Sequence, residues 1–151
     1  MATVELTEEN FNEVVSSNAT VFVDFWASWC GPCRMFGPIF EAASEQHPDI
    51  VFGKVDTESQ PEIAGSFGIR SIPTLMVLRE QVIVFSQPGA LPAALLEVVI
   101  TDVGELDMAE VHRLVAAKGV DQEVSAHNAG QVAVNGQTRT DRTRGARHGT
   151  P

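Results

Sequence analysis

Hydrophobic residues change their period several times along this chain, and each change marks an element. Between Thr20 and Ala27 the run Val21-Phe22-Val23-Asp24-Phe25-Trp26 is apolar at nearly every position, the pattern of a strand buried on both faces. Ahead of it, Thr7 caps an expected helix over about Glu8 to Ser16, with Phe11, Val14 and Val15 on one face. After Cys30-Gly31-Pro32-Cys33 the period becomes helical as far as about Gln46, with Pro38 expected to kink the helix. Ile50 to Asp56 reads as a second strand, and Gln60 to Phe67 as a short helix. Thr74 to Leu78 and Val82 to Phe85 form two strands close enough to pair as a hairpin. The turn between them, Arg79-Glu80-Gln81, lacks the usual Asn-Gly or Gly, so a longer or bulged loop is expected. Pro92 suits the first turn of a helix running to about Thr101.

The order α, β, α, β, α, β, β, α predicts an α/β fold. A central sheet has helices on both faces, and the late hairpin makes that sheet mixed. The two early strands, joined through a helix, are expected to be parallel neighbours with a right-handed crossover. A further helix follows, because Asp107 and Glu110 stand at capping-box spacing ahead of the stripe Met108, Val111, Leu114 and Val115. Lys118 and Gly119 suit its end. Packing on the domain is the expected use of that apolar stripe, with a partner-binding helix as the alternative. From about Asp121 the periodicity stops, and a chain rich in Gly, Thr, Arg, Asn and Gln is expected to be a disordered tail. The expected organisation is a domain over 1–104, an additional helix over 105–119 and a basic-ended tail over 120–151.

Composition narrows the classes. With 151 residues and 44% hydrophobic content the chain suits one globular domain with a core. Met1 to Glu9 shows no secretory signal, and the apolar stretch Ala90 to Ile100 is too short for a bilayer. A cytoplasmic protein is therefore expected. Residues 1–118 carry 6 Lys/Arg against 17 Asp/Glu, whereas Arg139, Arg142, Arg144 and Arg147 near the end face only Asp141. An acidic body argues against nucleic-acid binding, which needs a basic stripe.

The chemistry concentrates at Cys30 and Cys33, which are the only cysteines. Two thiols at this spacing on a strand-to-helix turn can close into a disulfide and reopen. A thiol at a helix N-terminus also ionises more easily, because the orphan N–H groups and the helix dipole favour an anion. Cys30, nearer the turn and expected to be the more exposed, is assigned as nucleophile, and Cys33 as the thiol that resolves the mixed disulfide. Zinc fails by counting: His47 has no second histidine three to five residues on, and His112, His127 and His148 lie far from the pair. Asp24 sits inside the buried run, where desolvation raises its pKa towards that of a useful general base. Pro73 opens a strand in Ile72-Pro73-Thr74, and a cis bond is one of the options for a proline there.

The stretches Val21 to Arg34, Pro38, Lys54-Val55-Asp56, Phe67 to Thr74 and Gly89-Ala90-Leu91 together resemble the thioredoxin family, over roughly residues 3–101. The resemblance implies the thioredoxin fold, with Cys30–Cys33 as the redox disulfide. It implies that Asp24, aided by Lys54, handles the proton of Cys33, with Trp26 in support and Pro73 as the family's cis proline. The Ile72 backbone then pairs with an extended substrate. Trp29, Gly31, Pro32, Ile72, Thr74, Gly89 and Ala90 form a rim for many protein partners. Gly-Pro between the cysteines is the pair of reducing thioredoxins, where oxidases and isomerases usually carry histidine. The implied function is that of a monomeric protein-disulfide reductase that maintains cytosolic thiols and donates electrons to reductive enzymes. It would hold no bound cofactor and draw electrons from a thioredoxin reductase using NADPH. The competing class is a binding or assembly module whose redox activity is incidental.

Overall fold

The computed structural model describes residues 2–118. Ten elements follow one another: β1 (Thr3–Glu5), α1 (Phe11–Ser17), β2 (Thr20–Trp26), α2 (Gly31–Gln46), β3 (Val51–Asp56), α3 (Pro61–Ser66), β4 (Thr74–Arg79), β5 (Val82–Pro88), α4 (Ala93–Gly104) and α5 (Met108–Lys118). The strands form one sheet in the order β1-β3-β2-β4-β5. β2 pairs with β3 in parallel and with β4 antiparallel, so the sheet is mixed as expected.

Strand alternation sorts the side chains into two layers. Val21, Val23 and Phe25 pack with Phe11 and Val15 of α1, with Ile63 of α3 and with Phe67 just beyond it. Phe22, Phe52, Leu75 and Val77 pack on the other face with Phe36, Phe40 and Ala43 of α2 and with Leu96, Ile100 and Val103 of α4. The Phe52 ring lies 5.2 Å from both the Phe22 and the Phe40 rings. Fully burying such a side chain stabilises the fold by about 1.5–3 kcal/mol. β2 is central because every residue from Val21 to Phe25 is buried, and only a strand flanked by two others and covered on both faces hides such a run.

Four expectations change. β1 was not foreseen; it is a three-residue edge strand with Val4 39% exposed. The helix expected from Glu8 begins at Phe11. Thr7 caps the turn before it, its Oγ1 accepting from Asn10 N–H at 3.3 Å while Asn10 Oδ1 accepts from Thr7 N–H at 2.8 Å. α4 runs on to Gly104. The β4–β5 connection is not lengthened: it is a two-residue turn with Glu80 at φ 52° and Gln81 at φ 67°. The irregularity lies instead within the ladder, between Val77 and Leu78.

α5 packs only partly on the rest of the fold, with Val111 and Val115 half-buried. Met108 is buried, and His112 Nε2 lies 2.7 Å from Glu80 Oε1 on the hairpin turn, while Leu114 is 56% exposed. Asp107 Oδ1 accepts from Ala109 and Glu110 N–H groups as an N-cap, whereas Glu110 turns to Arg113 rather than closing the box. The expected tail over 120–151 lies outside the described residues. No helix among the described residues is long and apolar enough to cross a membrane.

Candidate active site

Cys30 is the N-cap of α2: its backbone is extended (φ −91°, ψ 116°), and Gly31 and Pro32 begin the helix. Pro32 costs nothing there, since an N–H in the first turn has no helical partner. The N–H of Cys33 is one of those orphans, and it donates to Cys30 Sγ at 3.2 Å. The two cysteines form a disulfide with Cα atoms 5.2 Å apart, inside the usual range. Cys30 is not the more exposed of the pair, because both are 4% exposed in the disulfide. What separates them is the cap. Cys30 sulfur takes the orphan N–H and meets the positive end of the helix, which favours its thiolate once the bond is reduced.

The loop before β4 closes on the same sulfur. Ile72–Pro73 is a cis peptide, and the Ile72 carbonyl oxygen lies 3.7 Å from Cys30 Sγ. Ile72 and Trp26 pack against Ala27, Cys30 and Cys33. No backbone acceptor among the described residues takes the Ile72 N–H, leaving a donor beside the disulfide for an extended chain. Pro73 carbonyl accepts from Gly89 N–H at 2.8 Å, and Gly89 takes φ 108°, which only a residue without Cβ adopts freely. Gly89 and Ala90 are thereby held exposed next to the proline loop. Thr74, expected among the substrate-binding residues, is 5% exposed, and its hydroxyl donates to Ser71 carbonyl at 2.6 Å. It braces the proline loop from inside.

Trp29 is 65% exposed, Pro32 is exposed, and Met35 at 68% continues this exposed surface along α2. The indole N–H of Trp29 donates to Glu58 Oε2 at 3.0 Å, and Glu58 N–H is itself held by Asp56 Oδ1 at 2.9 Å. Sequence reading missed Glu58. Only the β2–β3 register, which sets Trp26 beside Asp56, brings positions 29 and 58 together.

Asp24 shares the sheet face of Phe22, beneath α2, by strand alternation. It is 1% exposed, and neither carboxylate oxygen has a hydrogen-bond partner. Burial pushes its pKa up to about 7, against a smaller lowering by the Lys54 charge. Lys54 is the register partner of Asp24 on β3. Its Nζ lies 5.0 Å from the centre of the Trp26 ring, a cation–π contact. The same Nζ lies 3.8 Å from where a Cβ on Gly37 would stand. Gly37 was also missed, although a glycine inside a helix costs about 1 kcal/mol against alanine and so hints at a close approach. The structure therefore collects Asp24, Lys54, Trp26 and the two cysteines under and at the start of α2. Among the described residues no three His, Cys, Asp or Glu side chains converge as a metal site.

Comparison with known proteins agrees with this geometry. The sequence model of the Thioredoxin family matches residues 2–102. A relative of thioredoxin-2 type from Streptomyces coelicolor is 63% identical over 115 residues, covering 76% of this chain and 86% of that one. A thioredoxin of Alicyclobacillus acidocaldarius is 41% identical over 103 residues, 68% of this chain and 98% of its own length. Among solved structures, a Plasmodium falciparum thioredoxin superposes with a TM-score of 0.62 at 33% identity, covering 66% of this chain and 98% of that one.

Proposed function

The chain belongs to the thioredoxin family and is a protein-disulfide oxidoreductase working by dithiol–disulfide exchange, and from that premise we propose a division of labour within the site. The observation that carries it is the Cys30–Cys33 disulfide at the N-cap of α2, with Cys30 sulfur facing the Ile72 carbonyl. In the reduced protein the Cys30 thiolate attacks one sulfur of a substrate disulfide, forming a mixed disulfide and expelling the other substrate thiolate. Cys33 then loses its proton and attacks Cys30 Sγ, closing Cys30–Cys33 and releasing the second substrate thiolate. Two electrons pass to the substrate in each cycle. Asp24 accepts the Cys33 proton, a role suited to a carboxylate with a pKa of about 7. Lys54 favours the ionised form of that carboxylate, and the Trp26 ring holds the Lys54 ammonium by a cation–π contact.

The substrate chain lies along Ile72 by strand addition, with Trp29, Gly31, Pro32, Gly89 and Ala90 around it. Pro73 fixes the approach of that strand. Clients are disulfide-bearing proteins, and a thioredoxin reductase using NADPH returns the electrons, so the protein itself holds no cofactor. It works as a monomer in the cytoplasm. The test is reduction of insulin by the full chain with dithiothreitol as electron source. Cys30→Ser is expected to abolish the acceleration. Cys33→Ser is expected to trap a mixed disulfide at Cys30. Acceleration by Cys30→Ser at the wild-type rate would defeat the assignment.

A further inference from the structure

Arg34 is in the first turn of α2, one residue beyond Cys33; it is exposed, and its guanidinium folds back on the turn that carries the cysteines. One Nη donates to the Ser28 carbonyl at 3.0 Å, six residues back across the turn. The other lies 4.0 Å from the point that a Cβ on Gly31 would occupy. The charge is thus laid over the segment Ser28 to Gly31, which contains Cys30. Holding so long a side chain in one place costs rotamer entropy, and a single exposed hydrogen bond offsets little of it.

We propose that Arg34 is a positioning residue for exchange: its charge, tied to the turn, stabilises the Cys30 thiolate of the reduced protein. The proposal rests on Cys30 being the attacking thiol. On reduction by a dithiol the disulfide takes up two electrons and one proton, which stays on Cys33; Cys30 sulfur is left as a thiolate whose charge meets the Cys33 N–H and the Arg34 guanidinium. The other titratable groups on the elements packed about the turn are Asp24 and Lys54 beneath α2, Glu58 bonded to Trp29, Arg70 on the loop leading to Ile72, and the Cys33 thiol. Asp24 and Glu58 oppose a thiolate, and Lys54 and Arg70 favour it. Of the cations, Arg34 alone is hydrogen-bonded to the turn among the described residues.

The test is the pH dependence of iodoacetamide alkylation of the reduced full-length protein, with the alkylated cysteine identified by peptide mass. Arg34→Gln keeps an N–H donor for Ser28 but removes the charge. It is expected to raise the apparent pKa of Cys30 by about 0.5, slowing alkylation at pH 6.5 roughly threefold and leaving the rate at pH 10 unchanged. Arg34→Lys restores the wild-type profile, Arg34→Glu moves it about twice as far, and 1 M salt shrinks all the differences. Superimposed profiles for Arg, Gln and Glu would overturn the proposal. So would Arg34→Lys behaving as Arg34→Gln, since only a bracing role would then remain. First alkylation at Cys33 would instead overturn the assignment of the attacking thiol.

Discussion

A carboxylate with both oxygens buried and unpartnered, as at Asp24, is held in the fold at a cost that depends on pH. Its pKa is raised from 3.8 to about 7, so between those values the folded chain keeps a proton that the unfolded chain has lost. The stabilisation from that proton is complete below about pH 4 and is lost as pH rises through about 7. Asp24→Asn is therefore expected to match the wild type near pH 4 and to exceed it by about 4 kcal/mol at pH 8, because each tenfold change in proton affinity is worth about 1.4 kcal/mol. Urea unfolding at the two pH values measures this, and a difference that does not change with pH would refute it. The same variant is expected to slow resolution of the mixed disulfide while sparing the first attack. Asp24 was legible in the sequence because a charge within an apolar strand has few bland explanations. Lys54 entered only through family resemblance. Glu58 and Arg34 were not legible, since their contacts depend on the strand register and on where a side chain folds back.

At the scale of elements, the short-range signals were read best where one residue dictates the backbone. Pro32 and Cys30 fixed the start of α2, and the Cys33 N–H cap follows from that start. β1 escaped because three residues with one apolar side chain carry no period. Its identity shows only in three dimensions, where it pairs with β3 in parallel and Leu6, just beyond it, fills the space left by Gly53. The hairpin is the sharpest departure. A tight two-residue turn that suits the strand twist needs positive φ at its first residue or at both, and here Glu80 and Gln81 both adopt it without glycine. The turn is held by Glu80 N–H to Ala19 carbonyl at 2.8 Å and by Glu80 to His112 on α5. Gln81→Gly removes a Cβ clash while leaving both contacts, and it is expected to stabilise the fold by about 1 kcal/mol. Thermal unfolding checks this, and an unchanged or lowered Tm would show that the turn is not strained at that position.

For the whole molecule, the order of elements predicted helices on both faces of the sheet, and alternation along β2 sorts its side chains between those layers and decides the chemistry. Residues on one face bind α1 and α3, those on the other bind α2 and α4, and Asp24 falls on the side beneath the cysteines. Of the strand order β1-β3-β2-β4-β5, the β2–β3 and β4–β5 neighbours were legible, whereas β1–β3 and β2–β4 were not, because pairing partners distant in sequence leave no local pattern. That order puts the start of α2 beside the proline loop of β4, so a two-cysteine motif becomes a site with a base and a strand-binding edge. The central claim is that this site reduces other disulfides. The direct measurement is the reduction potential of the Cys30–Cys33 couple in the full chain, equilibrated against glutathione and read by thiol trapping. A potential at or below about −260 mV, the reducing edge of the extracted cytosolic glutathione poise, is the predicted result. A value above about −200 mV, where oxidants and isomerases lie, would contradict it.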